Sequence, residues 1–195
     1  MKYYQELTLI PDPEIDIYFI WSKLYHKLHL GFVPLLDQTG KMSIGVSFPE
    51  YECAPKKIKL GSKLRLFASD EQTLKQLDTK QLLSHLSDYV HCGKIHSVPD
   101  KIDGYAVYQR VRPKNSIMSL AERYAKRHNI TLGAALAIYQ ENFKEKRLNL
   151  PFVRLKSATS QQVFPLMIRK KYVDCLVTGG FSSYGLSSDS SVPEF

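Results

Sequence analysis

His29 is the side chain whose type and place could move a proton. It falls near the end of a helix-like stretch, where the helix dipole favours positive charge, and imidazole is a side chain that can both accept and donate a proton. Such a ring suits general-base work on a ribose 2′-hydroxyl. His26 stands three residues earlier, and on spacing alone the pair reads first as a partly exposed helix face. No carboxylate or cysteine nearby completes a metal set. Cys-x-x-Cys, His-x-x-x-His and His-Glu-x-x-His patterns are absent from the sequence, as are glycine-rich phosphate loops, so neither metal nor cofactor is expected. Asp12, Glu14 and Asp16 sit where a helix start favours acids, and read as capping.

The basic side chains form the second group. Residues 1–100 carry 12 Lys+Arg against 12 Asp+Glu, and residues 101–195 carry 15 against 7, so the whole net charge of +8 lies in the second half. Arg123, Lys126 and Arg127 fall at i, i+3 and i+4, one stripe of a helix. Arg110 and Arg112 are two apart on a strand-like segment and project to the same side. A neutral half joined to a basic half is the footprint of a polyanion binder, nucleic acid first, although surface lysines and arginines also serve solubility alone. The helix pair around His128-Asn129-Ile130-Thr131 admits a helix-turn-helix reading toward duplex DNA. Against it, the second helix opens on Leu132-Gly133-Ala134-Ala135-Leu136, which suits packing rather than base reading.

These side chains need a frame. With 195 residues, 44% hydrophobic and 11% aromatic, the chain can bury a sizeable core as one large or two small domains. Alternation predicts a strand over Tyr3–Leu9 and a helix over 14–30, with Ile17, Ile20, Trp21, Leu24 and Leu28 inward and Gly31 as its stop. Strands over 43–48 and 63–68, a helix capped by Asp70 running to about 86, and a strand over 90–98 follow. Strand, helix, strand, strand, helix, strand is the split βαβ, or ferredoxin-like, order. Beyond it come a strand over 104–112, helices over 116–128 and 131–146, extended segments over 151–157, 163–173 and 181–186, and a serine-rich tail expected to be less ordered. The expected fold is therefore α+β: a ferredoxin-like domain over 1–99 and a smaller α+β domain over 100–195 bearing the basic helix. No apolar run is long enough to span a membrane, and Cys53, Cys92 and Cys175 lie too far apart in sequence to form a disulfide framework, which together predict a cytoplasmic protein.

Several segments together carry a resemblance. They are Lys27-Leu28-His29, Ile44-Gly45-Val46-Ser47-Phe48-Pro49, Leu150-Pro151-Phe152-Val153 followed by Leu155-Lys156-Ser157, then Phe164, and Gly179-Gly180-Phe181-Ser182-Ser183-Tyr184-Gly185-Leu186-Ser187. In order and spacing, over nearly the whole chain, they resemble the repeat-cleaving endoribonucleases of type I-F CRISPR systems, which mature CRISPR RNA.

The resemblance implies a ferredoxin-like amino-terminal domain and a carboxy-terminal domain whose arginine-rich helix enters the major groove of the repeat hairpin. It implies that His29 deprotonates the 2′-hydroxyl upstream of the scissile phosphate, that Ser157 positions that ribose and that Tyr184 orients the histidine. Cleavage would need no metal and would leave a 2′,3′-cyclic phosphate and a 5′-hydroxyl. Arg110 would read a guanine at the stem base, Arg123 and Arg127 would belong to the groove helix, and Phe164 would stack on a base beside the cut. By itself Phe164 reads as a core aromatic. Thr159 keeps the hydroxyl where the family often has serine. Arg112 stands where the family has glutamine, and Ala121 and Glu122 stand where arginines occur, so Lys114 and Lys126 are the candidates to compensate. The expected partners are the CRISPR repeat hairpin and other subunits of the type I-F effector complex. The competing reading is a catalytically silent hairpin-binding subunit; His29, Ser157 and Tyr184 occurring together favour the enzyme.

Overall fold

The structure, a computed structural model, describes residues 1–112, 117–142, 148–157 and 160–195. The fold is α+β, built on antiparallel sheets. By its contacts the chain divides into one unit of residues 1–111 with 150–195 and another of residues 112–149, whereas the sequence reading placed its division between 99 and 100.

In the larger unit β1 (Tyr3–Leu9) is followed by α1 (Ile17–Phe32), β2 (Gly45–Ser47), the hairpin β3 (Glu52–Ala54) and β4 (Lys57–Lys59), and β5 (Lys63–Ala68). Then come α2 (Glu71–Leu77), α3 (Thr79–Leu82), β6 (Val90–Ser97) and β7 (Gly104–Val111). Strands β1, β2, β5 and β6 form one antiparallel sheet in the order β2-β5-β1-β6. Strand β7 begins a second sheet, which β8 (Phe152–Lys156), β9 (Val163–Val173) and β10 (Val192–Glu194) complete in the order β10-β7-β9-β8. One apolar core joins the inner faces, from Leu7, Leu64 and Leu66 of the first sheet to Ala106, Val153, Leu166 and Ile168 of the second.

Helix α1 is the element on which the site depends. Asp16 caps it by accepting the Tyr18 amide at 2.9 Å. Ile20, Trp21, Leu24, Tyr25, Leu28 and Phe32 recur at helical spacing and are all buried. The expected stop at Gly31 is not one. The helix runs through it to Phe32, and a Cβ there would lie 2.6 Å from Leu82 Cδ2, so a larger residue would make that side chain shift. Asp70 does cap a helix, accepting the Thr73 amide at 2.8 Å, but that helix ends at Leu77. Asp78, at φ +40°, breaks the run, and its side chain caps the short α3 that follows.

The serine-rich carboxy-terminal segment is ordered and buried, contrary to expectation. Ser187, Ser190 and Ser191 lie in the interior with their hydroxyls hydrogen-bonded, and β10 pairs with β7. Glu194 forms an ion pair with Lys170 and accepts the buried Tyr108 hydroxyl, so a charged tail residue is satisfied inside.

The smaller unit is described by itself. It holds α4 (Ile117–His128) and α5 (Leu132–Asn142), joined at Asn129, which takes φ +52°. Thr131 caps α5 by accepting the Ala134 amide at 3.2 Å. Tyr124 stacks on His128 with ring centroids 4.1 Å apart and meets Tyr139 edge-on at 5.7 Å, while Ala121 and Ala135 are buried.

Candidate active site

Two residues one turn apart on α1 grip the same loop. Tyr25 and His29 stand at i and i+4, and both reach the 181–186 turn more than 150 residues away in sequence. The turn is closed within itself by the Gly185 amide on Ser182 O and the Ser182 amide on Leu186 O, both at 2.8 Å. The Val46 amide also donates to Gly185 O at 3.0 Å, which ties the turn to β2. Gly185 takes φ +70°, and a Cβ on it would lie 2.3 Å from Val46 Cγ1, so both conformation and space demand glycine there.

Tyr25 is fully buried and donates its hydroxyl to the Tyr184 carbonyl at 3.0 Å. Burial pushes this phenol well above its ordinary range, with Tyr184 adding to the effect, so it remains a neutral donor. His29 Nδ1 lies 2.9 Å from the carbonyl oxygen of Ser183. A carbonyl only accepts, so Nδ1 carries the hydrogen and Nε2 is the nitrogen left to take a proton. The Tyr184 ring lies flat on the imidazole, with centroids 4.4 Å apart and planes 9° from parallel. Backbone and ring of two adjacent residues thus fix the tautomer and the plane of His29.

The stack continues. The Arg110 guanidinium, near the end of β7, lies 5.0 Å from the centroid of Tyr184 and 5.3 Å from that of Phe164 on β9. Phe164, Arg110, Tyr184 and His29 therefore form one column drawn from two strands, a turn and a helix. Phe164 is half-buried and rests on the edge of the core.

Ser157 follows β8, and its described hydrogen bonds stay in its own turn. Its hydroxyl accepts the Ser160 amide at 3.2 Å, and its backbone exchanges bonds with Gln161 and Gln162. Its relation to His29 follows from two parallel elements. Phe152 shares a cleft with Tyr18 and Phe19, and Ser22 donates to the Arg154 carbonyl at 2.7 Å, so β8 and α1 run in the same direction. From that bond, seven helical residues to His29 advance about 10 Å. Three extended residues to Ser157 also advance about 10 Å. Ser157 therefore stands at the His29 end of α1.

The basic residues of the smaller unit are described within it. Arg112 is exposed, one residue past β7, and Arg123, Lys126 and Arg127 are exposed on α4 as one stripe. Lys114 and Thr159 lie outside the described residues. Among the described residues, no three of His, Cys, Asp and Glu converge into a set able to hold a metal ion, and no helix is long and apolar enough to cross a membrane. The sequence reading missed Tyr25 and the Ser183 carbonyl. The available signal was the i, i+4 spacing of Tyr25 and His29, which places them on one face of the helix.

Comparison with known proteins places the chain in a family. Residues 4–195 match the family model described as CRISPR-associated protein (Cas_Csy4). Over 198 residues the chain is 36% identical to a CRISPR-associated endonuclease Cas6/Csy4 of Escherichia coli (strain UTI89 / UPEC), and over 196 residues it is 33% identical to one of Pseudomonas aeruginosa (strain UCBPP-PA14). Both matches cover 100% of each chain. A solved structure described as an RAMP protein binding different RNA substrates covers 98% of this chain and 100% of its own, at 13% identity and a TM-score of 0.39, too distant to carry an argument. The chain belongs to the Cas6/Csy4 family of CRISPR-associated proteins, whose two relatives named above are endonucleases.

Proposed function

We propose that this protein is a metal-independent endoribonuclease that cuts CRISPR precursor RNA at the base of the repeat hairpin. The observation that carries the reading is the held imidazole: Nδ1 on the Ser183 carbonyl, the ring flat on Tyr184, Nε2 left for a proton. His29 Nε2 removes the proton from the 2′-hydroxyl upstream of the scissile phosphate. The 2′-oxygen attacks the adjacent phosphorus, the bond to the 5′-oxygen breaks, and that oxygen takes up a proton. The products are a 2′,3′-cyclic phosphate and a 5′-hydroxyl. Because the nucleophile belongs to the substrate, the protein needs a base and a rigid geometry rather than an activated water. Ser157 is the hydroxyl that holds the ribose, and Tyr184 is a positioning residue.

Specificity is assigned to the basic residues. Arg110, whose guanidinium lies over the rings of Phe164 and Tyr184, reads a guanine at the stem base, and Phe164 supplies a face for a neighbouring base. Arg112 addresses the next base, while Arg123, Lys126, Arg127 and Lys114 contact the hairpin's phosphates. Thr159 contributes a hydroxyl near the cut. The strand order β2-β5-β1-β6, with α1 and α2 as crossovers, supports reading residues 1–99 as a ferredoxin-like domain, and the stripe on α4 supports a basic RNA-binding helix in 100–195. The protein stays on its product hairpin within a type I-F effector complex in the cytoplasm.

The test is cleavage of the cognate repeat RNA by purified protein in EDTA. Cutting at one position, with a cyclic phosphate on the upstream fragment, is expected. A dependence on added metal, or a 3′-hydroxyl end, contradicts the mechanism. Stable hairpin binding with no cutting leaves the silent subunit instead.

A further inference from the structure

On the larger unit, a cleft of about 590 Å³ opens beside the first turns of α1, walled by Asp16, Tyr18, Phe19 and Ser22, by Ile58, Lys59 and Leu60 from the β3–β4 region, and by Leu150, Pro151, Phe152 and Arg154. Its mouth is aromatic and open to solvent: Tyr18 and Phe19 are each 54% exposed and Phe152 is 38% exposed. Cations stand among the rings. Lys23 lies over the Phe19 ring at 5.0 Å, Arg154 is exposed on the cleft wall, and Lys156 is exposed two residues farther along β8. The acids nearby are already engaged: Asp16 accepts the Tyr18 amide, and Glu52 pairs with Lys57 and Lys59.

Strand β8 runs from the cleft toward the candidate active site. Phe152, Arg154 and Lys156 alternate outward along one strand that ends just before Ser157, so a ring and two cations line the approach to the cut. Ten residues of α1 separate Phe19 from His29, about 15 Å along the helix axis. Nucleic acid advances about 3.4 Å per nucleotide even when stacked, and more when extended, so that gap takes no more than about four nucleotides. Exposed aromatics interleaved with cations are what single-stranded RNA requires, since bases stack on the rings while phosphates meet the charges.

We infer that this cleft, with the outward row of β8, binds the single strand downstream of the scissile phosphate, taking bases two to four past the cut against Phe19, Tyr18 and Phe152. The inference rests on the endoribonuclease reading above. On the endoribonuclease reading the retained hairpin is the upstream fragment, so a strand leaving Ser157 and His29 along β8 is the downstream one. Such a site holds precursor more tightly than product and lets the cut fragment depart once its link to the stem is broken.

The experiment measures binding of wild-type protein to the cognate hairpin with a 2′-deoxy residue upstream of the cut, which blocks cleavage. Three forms are compared: ending at the cut, extended by five uridines on the 3′ side, and extended by five on the 5′ side. Stacking of one or two bases should tighten binding of the 3′-extended form about tenfold, and the 5′ extension should leave it within twofold. In the double variant Phe19→Ala with Phe152→Ala, both exposed positions, the tenfold gain should vanish while binding of the unextended hairpin stays unchanged. Equal affinity with and without the 3′ extension, an equal gain from the 5′ extension, or a gain that survives the double variant each overturns the inference. A cleft that ignores RNA in this way is left as a surface for a protein partner. Failure of the parent reading looks different, because the unextended hairpin is then not bound and the 3′-extended hairpin, as all-ribose RNA, is not cut.

Discussion

Replacing Tyr25 with Phe removes one oxygen from the interior and leaves the shape of the core unchanged. That oxygen donates to the Tyr184 carbonyl at 3.0 Å, from a ring with no exposed surface. The variant leaves a carbonyl without its donor, which costs about 1–3 kcal/mol. For a chain of this size that lowers the melting temperature by roughly 2–4 °C per kcal/mol. The second consequence is catalytic. The Tyr184 carbonyl belongs to the residue after Ser183, whose own carbonyl holds His29 Nδ1 at 2.9 Å. Loosening the first carbonyl lets the second wander, and the imidazole with it. A loss of orientation worth about 1.4 kcal/mol is a tenfold drop in the cleavage step. Single-turnover cleavage at saturating protein, measured across pH, should therefore show a rate about tenfold lower with hairpin affinity unchanged. The Tyr25 phenol does not titrate in that range, because burial raises it far above, so the wild-type profile should carry no ionisation from it. A variant that loses the expected stability yet cuts within twofold of wild type would show that His29 is held without this anchor, and would refute the reasoning.

Other expectations follow from separate observations. Arg127 is exposed on α4 at the end of the basic stripe, so Arg127→Ala should flatten the slope of log affinity against log salt by about 0.7–0.9; an unchanged slope removes it from the RNA. An arginine fork such as that of Arg112 fits guanine O6 and N7, so exchanging the second guanine pair near the stem base for an adenine pair should cost about 1–3 kcal/mol of binding; equal affinities leave Arg112 as a phosphate contact. The Glu50 carboxylate is held below its ordinary range chiefly by the Ser62 amide at 2.8 Å. Its stabilising contribution is thus present above the unfolded value of about 4.3 and disappears as pH falls through the lower folded value. Glu50→Gln should lower stability at pH 7 and shallow the acid limb of an unfolding titration, and an acid limb identical to wild type would contradict this.

Much of the frame could be read where a pattern is local. The strands Tyr3–Leu9 and Lys63–Ala68 lie where alternation puts them, and Val163–Val173 is the extended segment expected there. Errors arose where a distant contact overrode a local signal. Gly31 reads as a helix stop, yet the helix continues to Phe32, which is buried in the core, and Asp78 looks helical in a run that its positive φ breaks. The β3–β4 hairpin is largely exposed and lacks an apolar face to announce it, and the buried serines of the tail are satisfied by partners such as Gly180 and Cys175 that no window around them contains. The site shows the same division. His29 could be picked by residue type, and Ser157, Tyr184, Arg110 and Phe164 by resemblance. The order of the stack, the tautomer set by Ser183 and the role of Tyr25 depend on contacts between residues more than 50 apart in the sequence.

The central claim is that His29 is the base of a reaction whose nucleophile belongs to the RNA. It is tested most directly by His29→Ala in single-turnover cleavage of the cognate repeat, with hairpin affinity measured on the same preparation. Loss of a positioned general base lowers the rate by about 10²–10⁴. One half-buried imidazole adds little to an interface dominated by charge, so affinity should stay within about twofold. A variant that binds normally and cuts at the wild-type rate contradicts the account.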